Sequence, residues 1–496
     1  MKFTVLEYKA AVPQLPGGYL IKDNWNDYGF ETTFRLVVRL PDMTTVSAGY
    51  LRIGHLSMTR DGWRRTADHL PETFTALDPG YLSLGMEDDY YEDLRHALPE
   101  GMAHEILTAL NDAAYADEDA RGRDLAVWRD SLLRDRRSWG LERTRSIARG
   151  VRARTVPFRW SYTPDQEGLL RAHEFTFQAT PGLLPPTNLH ALIGRNGVGK
   201  SRLLHAIAEQ AAVGEISVES SDPAEDNTFA NCVVISFSPF DRAYKPPLGA
   251  RMPFHYIGLR HDAEARLKSD AELQAEFVKS FGVARIGARG VRWRKAVAAL
   301  NYAASGFLDD HMDLIEDMLR EDSLERRTEA MGSVFDSLSS GHTVVLLMIT
   351  RLIEVVSERT LVLIDEPETH LHPPLLAALT GALSSLLADR NGMAVVATHS
   401  PVVLQEVPAS CVWMMQRHGK ELTANRPVVE TYGENVGELT HEAFGLESTS
   451  TGYYATIAKM VEKGLSYQEV LGHFSGLGAE ARSLLRALTS SRTGLR

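Results

Sequence analysis

Apolar and polar positions alternate in distinct styles along the chain, and the changes of style mark its parts. Residues 1 to about 85 read as β-rich. Phe34 to Leu40 and Val46 to Ile53 flank the short polar stretch Pro41-Asp42-Met43-Thr44-Thr45, a hairpin pattern. Asn24, Asn26, Asp27 and Gly29 mark an earlier loop around Trp25. From Gly101 to roughly Gly150 the spacing is helical, with Ile106, Leu107 and Leu110, then Leu125, Trp128, Leu132 and Leu133. Strands return at Val156 to Tyr162 and Phe175 to Phe177, and an apolar run from Leu189 ends at Ile193. Leu203, Leu204, Ile207, Ala208 and Ala211 then fall at helical spacing. Ser217 to Thr228 reads as a polar surface loop, and Cys232 to Phe237 as a buried strand. No proline occurs between Pro253 and Pro367, so Asp262 to Phe335 is expected to hold three or four helices. An apolar helix (Val344 to Val356) and strands at Leu361 to Ile364 and Met393 to Ala397 follow. Strands are also expected at Cys411 to Met415 and Val428 to Tyr432, with a helical tail from Ala455. Strands alternating with helices make the middle of the chain α/β.

Composition narrows the setting. At 496 residues two or three domains are expected, and 44% hydrophobic with 24% charged residues is a globular average. A net charge of −12 argues against coating nucleic acid by bulk charge. Cys232 and Cys411, the two cysteines, sit in apolar runs and read as buried thiols of a reducing compartment. No run approaches the ~20 apolar residues of a membrane span. The first residues include Glu7 and lack the apolar core of a secretion leader. A cytoplasmic protein with no membrane partner is expected.

The chemistry centres on Gly194-Arg195-Asn196-Gly197-Val198-Gly199-Lys200-Ser201, followed by Arg202. It lies between an expected strand and an expected helix, the context a phosphate loop requires. Its glycines let backbone N–H groups face an anion, Lys200 reaches the β- and γ-phosphates, and the Ser201 hydroxyl suits Mg²⁺. Downstream, Asp365 and Glu366 end an apolar strand. Asp365 can hold the Mg²⁺ shell, and Glu366 can orient or deprotonate an attacking water. Ser339-Ser340-Gly341 precedes an apolar helix whose N-terminus can bind a second phosphate, more sensibly that of another subunit's nucleotide. The same serines also suit a plain helix cap. His399 ends the Met393 strand, at the edge where it can touch the γ-phosphate or the attacking water. His370 and His372 lie on a turn with no third histidine or cysteine nearby, which argues against zinc.

Three charged clusters stand out. Glu87, Asp88, Asp89, Glu92 and Asp93, interleaved with Tyr90 and Tyr91, read as a solvated helix start. Residues 121–160 hold twelve Arg against four acids, which suits either a phosphate backbone or acidic partner, or pairing with the acidic cluster. Arg285, Arg289, Arg292, Arg294 and Lys295 suit backbone binding or a solvated helix end.

The ordered set of phosphate loop, Leu338-Ser339-Ser340-Gly341 signature, Asp365-Glu366 and His399 resembles the ATPase head of the ABC superfamily. Asp365-Glu366-Pro367-Glu368 with Leu371-His372-Pro373 looks like the SMC-, RecF- and OLD-related branch, over roughly residues 188–415. The N-terminal region and the phosphate-loop spelling also resemble stand-alone AAA-type ATPases of bacterial anti-phage defence. The resemblance implies a mixed sheet with flanking helices. The expected parts are an α+β region (1–165) partly completing the ATPase lobe, that lobe in two pieces (166–261 and 336–415), a helical insertion (262–335) and a C-terminal strand and helical tail (416–496). It implies ATP and Mg²⁺ as ligands and a homodimer or higher homo-oligomer in which each signature faces the other subunit's phosphate loop. The glutamine expected after Phe237 is absent, with Ser238 or Asp241 in its place. Residues 400–496 lack the D-x-D and the room of the nuclease domain that OLD-type proteins carry, so a nuclease or toxin effector is expected to be a separate protein. A RecF-like DNA-repair ATPase and a slow nucleotide-gated scaffold remain as alternatives. A transporter cassette fits poorly.

Overall fold

The computed structural model describes residues 1–23, 26, 29–116, 125–133, 138–151, 155–164, 173–220, 228–239, 245–261, 266–302, 306, 308–321, 323–418, 421–444 and 452–493. The expected hairpin is the middle of a sheet. Strands β1 (Phe3–Leu6), β2 (Gly17–Lys22), β3 (Thr33–Arg39), β4 (Thr45–His55), β5 (Thr73–Phe74) and β6 (Tyr81–Gly85) run in the order β5-β1-β2-β3-β4-β6. Phe34, Leu36 and Val38 of β3 and Leu51 and Ile53 of β4 share one face because strand side chains alternate. Helices α1 (Asp88–His96), α2 (Met102–Ala109), α3 (Ala113–Ala116) and α4 (Ser138–Ala148) follow, and Tyr90, Tyr91, Ile106 and Leu107 bury themselves in the same core.

A small antiparallel sheet, β10-β7-β8, joins β7 (Phe158–Tyr162), β8 (Phe175–Ala179) and β10 (Val218–Ser220). Part of the stretch read as a loop after the phosphate-loop helix is therefore a strand, because Val218 faces Trp160 and is fully buried. The principal sheet has the order β12-β11-β13-β14-β9-β15-β16. Its members are β9 (Leu189–Gly194), β11 (Asn231–Ser236), β12 (Phe254–Gly258), β13 (Thr360–Asp365), β14 (Met393–Thr398), β15 (Val412–His418) and β16 (Glu421–Asn425). All pairs are parallel except β15 with β16, so this is a mixed sheet.

Both faces of that sheet are buried, which is why its strands are continuously apolar. Leu192, Val234, Leu361, Leu363 and Val395 lie under α5 (Lys200–Val213) and the small sheet. Ile193, Val233, Ile235, Val362, Ile364 and Val396 lie under α10 (Ser340–Val355) and α11 (Pro373–Ala388). The proline-free stretch forms α6 (Asp270–Ala284), α7 (Gly287–Leu300), α8 (Met312–Arg320) and α9 (Leu324–Ser337), which share that second core. Ser269 and Glu272 form a capping box at α6, and buried Trp293 donates from Nε1 to Thr350 Oγ1 at 2.9 Å, tying α7 to α10. Beyond α12 (Pro401–Gln405) and α13 (Val436–Phe444), a satellite core of Ile457, Val461, Val470 and Leu485 holds α14 (Gly452–Glu462), α15 (Tyr467–Gly472) and α16 (Ala479–Thr493) together. The fold is thus α/β, a mostly parallel seven-stranded sheet with helices on both faces, joined to a β-rich N-terminal region.

Val428 to Tyr432 is not a strand. The second C-terminal strand is β16, and Val428 is 91% exposed. The backbone there is held instead by Glu430, whose Oε1 accepts from the N–H groups of Ala409, Thr431 and Tyr432. No described helix is long and apolar enough to cross a membrane.

Candidate ATP site

The loop from Gly194 to Lys200 turns out of β9 at the carboxyl edge of the sheet, where open α/β sheets keep their ligands. Gly197 and Gly199 have φ of +77° and +112°, a region where a Cβ is strained. Gly194 is needed for another reason, since a Cβ there would collide with the Met415 carbonyl of β15. Val198 packs inward, while Arg195, Asn196 and Arg202 are exposed at the rim.

Lys200 is buried at the base of the loop, its Nζ donating to Gly194 O at 2.8 Å and Arg195 O at 3.3 Å. Burial pulls its pKa below the ordinary lysine value, and the charges of Glu366, Glu368 and Asp365 act against that pull. The Ser201 hydroxyl donates to Asp365 Oδ1 at 3.1 Å, although 164 positions separate the two residues. A hydroxyl and a carboxylate side by side are the hard oxygen donors a Mg²⁺ shell uses, so these residues fit that ion.

Glu366 follows Asp365 with φ +45° and ψ +59°, a left-handed conformation that costs a side-chain-bearing residue about 1 kcal/mol or more. It is held there by its N–H on Ala397 O at 2.9 Å, and by its own carbonyl, which accepts from Thr369 Oγ1 at 2.9 Å. The bend turns the Glu366 side chain out of the sheet and leaves it 32% exposed. His399 is 45% exposed, with its Nδ1 3.9 Å from Glu366 Oε1 and 3.1 Å from Glu368 Oε1. Asp365, Glu366 and His399 thus meet at the carboxyl edge of neighbouring strands β13 and β14.

Ser339, Ser340 and Gly341 open α10 on the opposite face of the sheet from α5. Ser339 Oγ accepts from His342 N at 3.4 Å, and both serines are exposed. Gly341 packs on the turn after Glu366, where a Cβ would stand 2.6 Å from His370 O. His370 Nε2 bonds Phe237 O at 3.1 Å and His372 Nδ1 accepts from Leu375 N at 3.3 Å, so both histidines hold backbone. Ser238 follows β11 at this edge, whereas Asp241 lies outside the described residues.

Sequence reasoning missed the role of Glu368. Its side chain is 8% exposed, and its Oε1 accepts from Thr398 Oγ1 at 2.7 Å and His399 N at 2.6 Å. Only its place two residues after Glu366 could have drawn attention to it.

Apart from exposed Glu87, the acidic cluster is paired and largely buried rather than solvated. Arg292 reaches Asp89 and Glu92 at 2.8 Å each, Arg390 reaches Asp89 at 2.6 Å and Glu92 at 3.2 Å, and Arg289 pairs with Glu87 and Asp89. Arg143 Nε sits 3.1 Å from Asp88. Burial alone would raise the Asp89 pKa, but Arg390, Arg292 and Arg289 outweigh it and hold that carboxyl well below its usual range. Asp93 has the opposite fate. Burial pushes it up to about 7, against the pull of the Ala288 N–H it accepts at the start of α7. Arg294 pairs with Glu316, Lys295 with Asp389, and Arg285 donates to Leu319 O, so the 285–295 cations have partners within the chain. In 121–160, Arg121, Arg123, Arg134, Arg136, Arg137, Arg152 and Arg154 lie outside the described residues, and Arg159 pairs with Glu219 at 2.6 Å.

Residues 235–405 match a family model described as "AAA domain, putative AbiEii toxin, Type IV TA system". That span includes the signature, Asp365-Glu366 and His399 and starts beyond the phosphate loop. The chain is 34% identical to "Protein ea59" of Escherichia phage lambda over 538 residues, covering 99% of each. Among solved structures, a nucleotide-free ATP-binding cassette of an ABC transporter is 11% identical with a TM-score of 0.30, covering 60% of this chain and 99% of its own. A second, cbiO1 of Clostridium perfringens, is 13% identical with a TM-score of 0.28, covering 59% and 94%. Overlaps this loose add nothing to the fold described above.

Proposed function

The chain belongs to the same family as the phage lambda protein ea59, and from that premise we propose that it hydrolyses ATP in a site completed by a second copy of itself. The observation that carries this reading is the pairing of Ser201 with Asp365 beside buried Lys200, with Glu366 and His399 at the same sheet edge. Lys200 would move from the loop carbonyls to the β- and γ-phosphates, which offer its ammonium a stronger partner. Ser201 and Asp365 would hold Mg²⁺, which when bound neutralises charge on the β- and γ-phosphate oxygens. Glu366 is the base, aimed outward by its left-handed backbone, and His399 contacts the γ-phosphate side. Exposed Ser339 and Ser340, with Gly341 at a helix N-terminus, offer donors to the nucleotide of the partner copy. This is the head-to-tail arrangement of the SMC-, RecF- and OLD-related branch.

The ATP-dependent dimer would control a separate effector, a nuclease or toxin. The toxin–antitoxin wording of the matching family model supports a role in defence. A relative encoded by a phage fits defence of one phage's host against another phage. Glu366→Gln should bind ATP, accumulate as a dimer in sedimentation, and lose on the order of 10³-fold in turnover. Lys200→Ala should lose nucleotide binding. Wild-type turnover in Glu366→Gln would remove the base assignment.

A further inference from the structure

Glu366 and Glu368 lie two positions apart and meet His399 differently. Glu366 Oε1 is 3.9 Å from His399 Nδ1, too far for a hydrogen bond, and its side chain is partly exposed. Glu368 is buried, and a single oxygen, Oε1, gathers three groups of the β14 terminus: Thr398 Oγ1, His399 N and His399 Nδ1. Its own place is fixed from several sides. Pro367 opens the turn Pro367–His370, His370 anchors that turn to Phe237 O, and Gly341 packs against it.

We propose that Glu368 is the positioning residue of the ATP site, setting both the angle and the tautomer of His399; this rests on the ATPase reading above. An ionised carboxylate accepts and cannot donate, so a hydrogen bond closed across the 3.1 Å between Glu368 Oε1 and His399 Nδ1 would place the proton on Nδ1. That tautomer leaves Nε2 as the ring's acceptor, on a side chain 45% exposed at the sheet edge where the γ-phosphate and attacking water would belong. The bond to the His399 backbone N–H holds the residue's main chain as well, so the ring is aimed from two points. The two glutamates divide the work by environment: the exposed one meets water, and the buried one holds the histidine.

The test is a mutant cycle on the full chain, reading kcat at saturating ATP and the affinity for a fluorescent ATP analogue. His399→Ala should lower kcat on the order of 10²-fold, and Glu368→Ala nearly as much, with affinity within about twofold of wild type. The double variant should be no slower than His399→Ala, because Glu368 acts through that ring. Glu368→Gln keeps an acceptor for the hydroxyl and backbone N–H but does not demand a proton on Nδ1, so it should fall between, and it covers a failure of Glu368→Ala to fold. Wild-type kcat in both Glu368 variants, or a double variant slowed by the product of the single effects, overturns the proposal. The ¹⁵N shifts of the His399 ring, assigned by loss in His399→Ala, read the tautomer without turnover. Nδ1 protonated in wild type and redistributed in Glu368→Ala supports the proposal, and Nε2 protonated in wild type refutes it. A wild-type protein that binds but never hydrolyses ATP contradicts the ATPase reading instead, and the ring shifts still decide the role of Glu368.

Discussion

Strand β14 separates two charged clusters that are built on opposite terms. Arg390 stands in the turn three residues before its first residue, Met393, and His399 just after its last, Thr398, so the whole strand, roughly 17–20 Å long, lies between them. At the Arg390 end, guanidinium groups and carboxylates saturate one another: Arg390 is 4% exposed and shares Asp89 and Glu92 with Arg292. At the His399 end the charges are predominantly acidic, partly exposed and only partly matched. Lys200 faces three carboxylates, and the Glu366 side chain is 32% exposed. Charges satisfied within the chain hold parts together, here α1 of the N-terminal region, α7 and the turn before β14. Charges left with capacity for a ligand do chemistry. The two look alike in a composition count.

Substitutions should separate the clusters. The largest stability effect belongs to Arg390→Ala, which strands Asp89 and Glu92 as buried, less compensated acids and should cost about 3–5 kcal/mol in urea unfolding. ATP affinity of the remaining folded protein should stay at the wild-type value, while Glu366→Gln should do the reverse, sparing stability and removing turnover. A stability loss at Glu366 as large as at Arg390 would break the distinction.

Asp93 sharpens it through pH. Its folded pKa of about 7 lies above the unfolded value of about 3.9, so the folded state binds the extra proton between them. The associated stability is fully present below the unfolded pKa and is lost as pH rises through about 7. Wild-type stability should therefore fall between pH 5 and 8, by on the order of 2 kcal/mol. Asp93→Asn, which keeps an acceptor for the Ala288 N–H, should flatten that slope in a series of thermal melts. Asp89 should contribute nothing to this window, because its depressed pKa places its loss of stabilisation at strongly acidic pH.

The candidate ATP site was legible where its chemistry is local. Gly194 to Ser201 is one contiguous run, and Asp365, Glu366 and His399 each end an apolar strand that must be buried to form. The principal sheet and the helices of 262–335 were legible from the same apolar spacing. What the sequence could not show are contacts closed only by the fold. Glu368 meets His399 across 31 positions, and Arg292 meets Asp89 across 203. Read singly, the acids of α1 look solvated and the cations of α7 look available. Val428 to Tyr432 misled for a related reason: five residues of strand-like composition do not reveal whether a partner strand lies beside them.

If each ATP site needs two chains, two variants that are inactive alone should complement each other. Lys200→Ala keeps a working signature with a dead phosphate loop. Ser340→Glu keeps the loop and places a repelling charge at the exposed start of α10. Each variant alone should be inactive. Mixed in equal amounts, they should form heterodimers with one intact site and regain roughly a quarter of the wild-type ATPase rate. A mixture that stays as inactive as its components, in spite of exchange of subunits, would mean that no site is completed by a second chain.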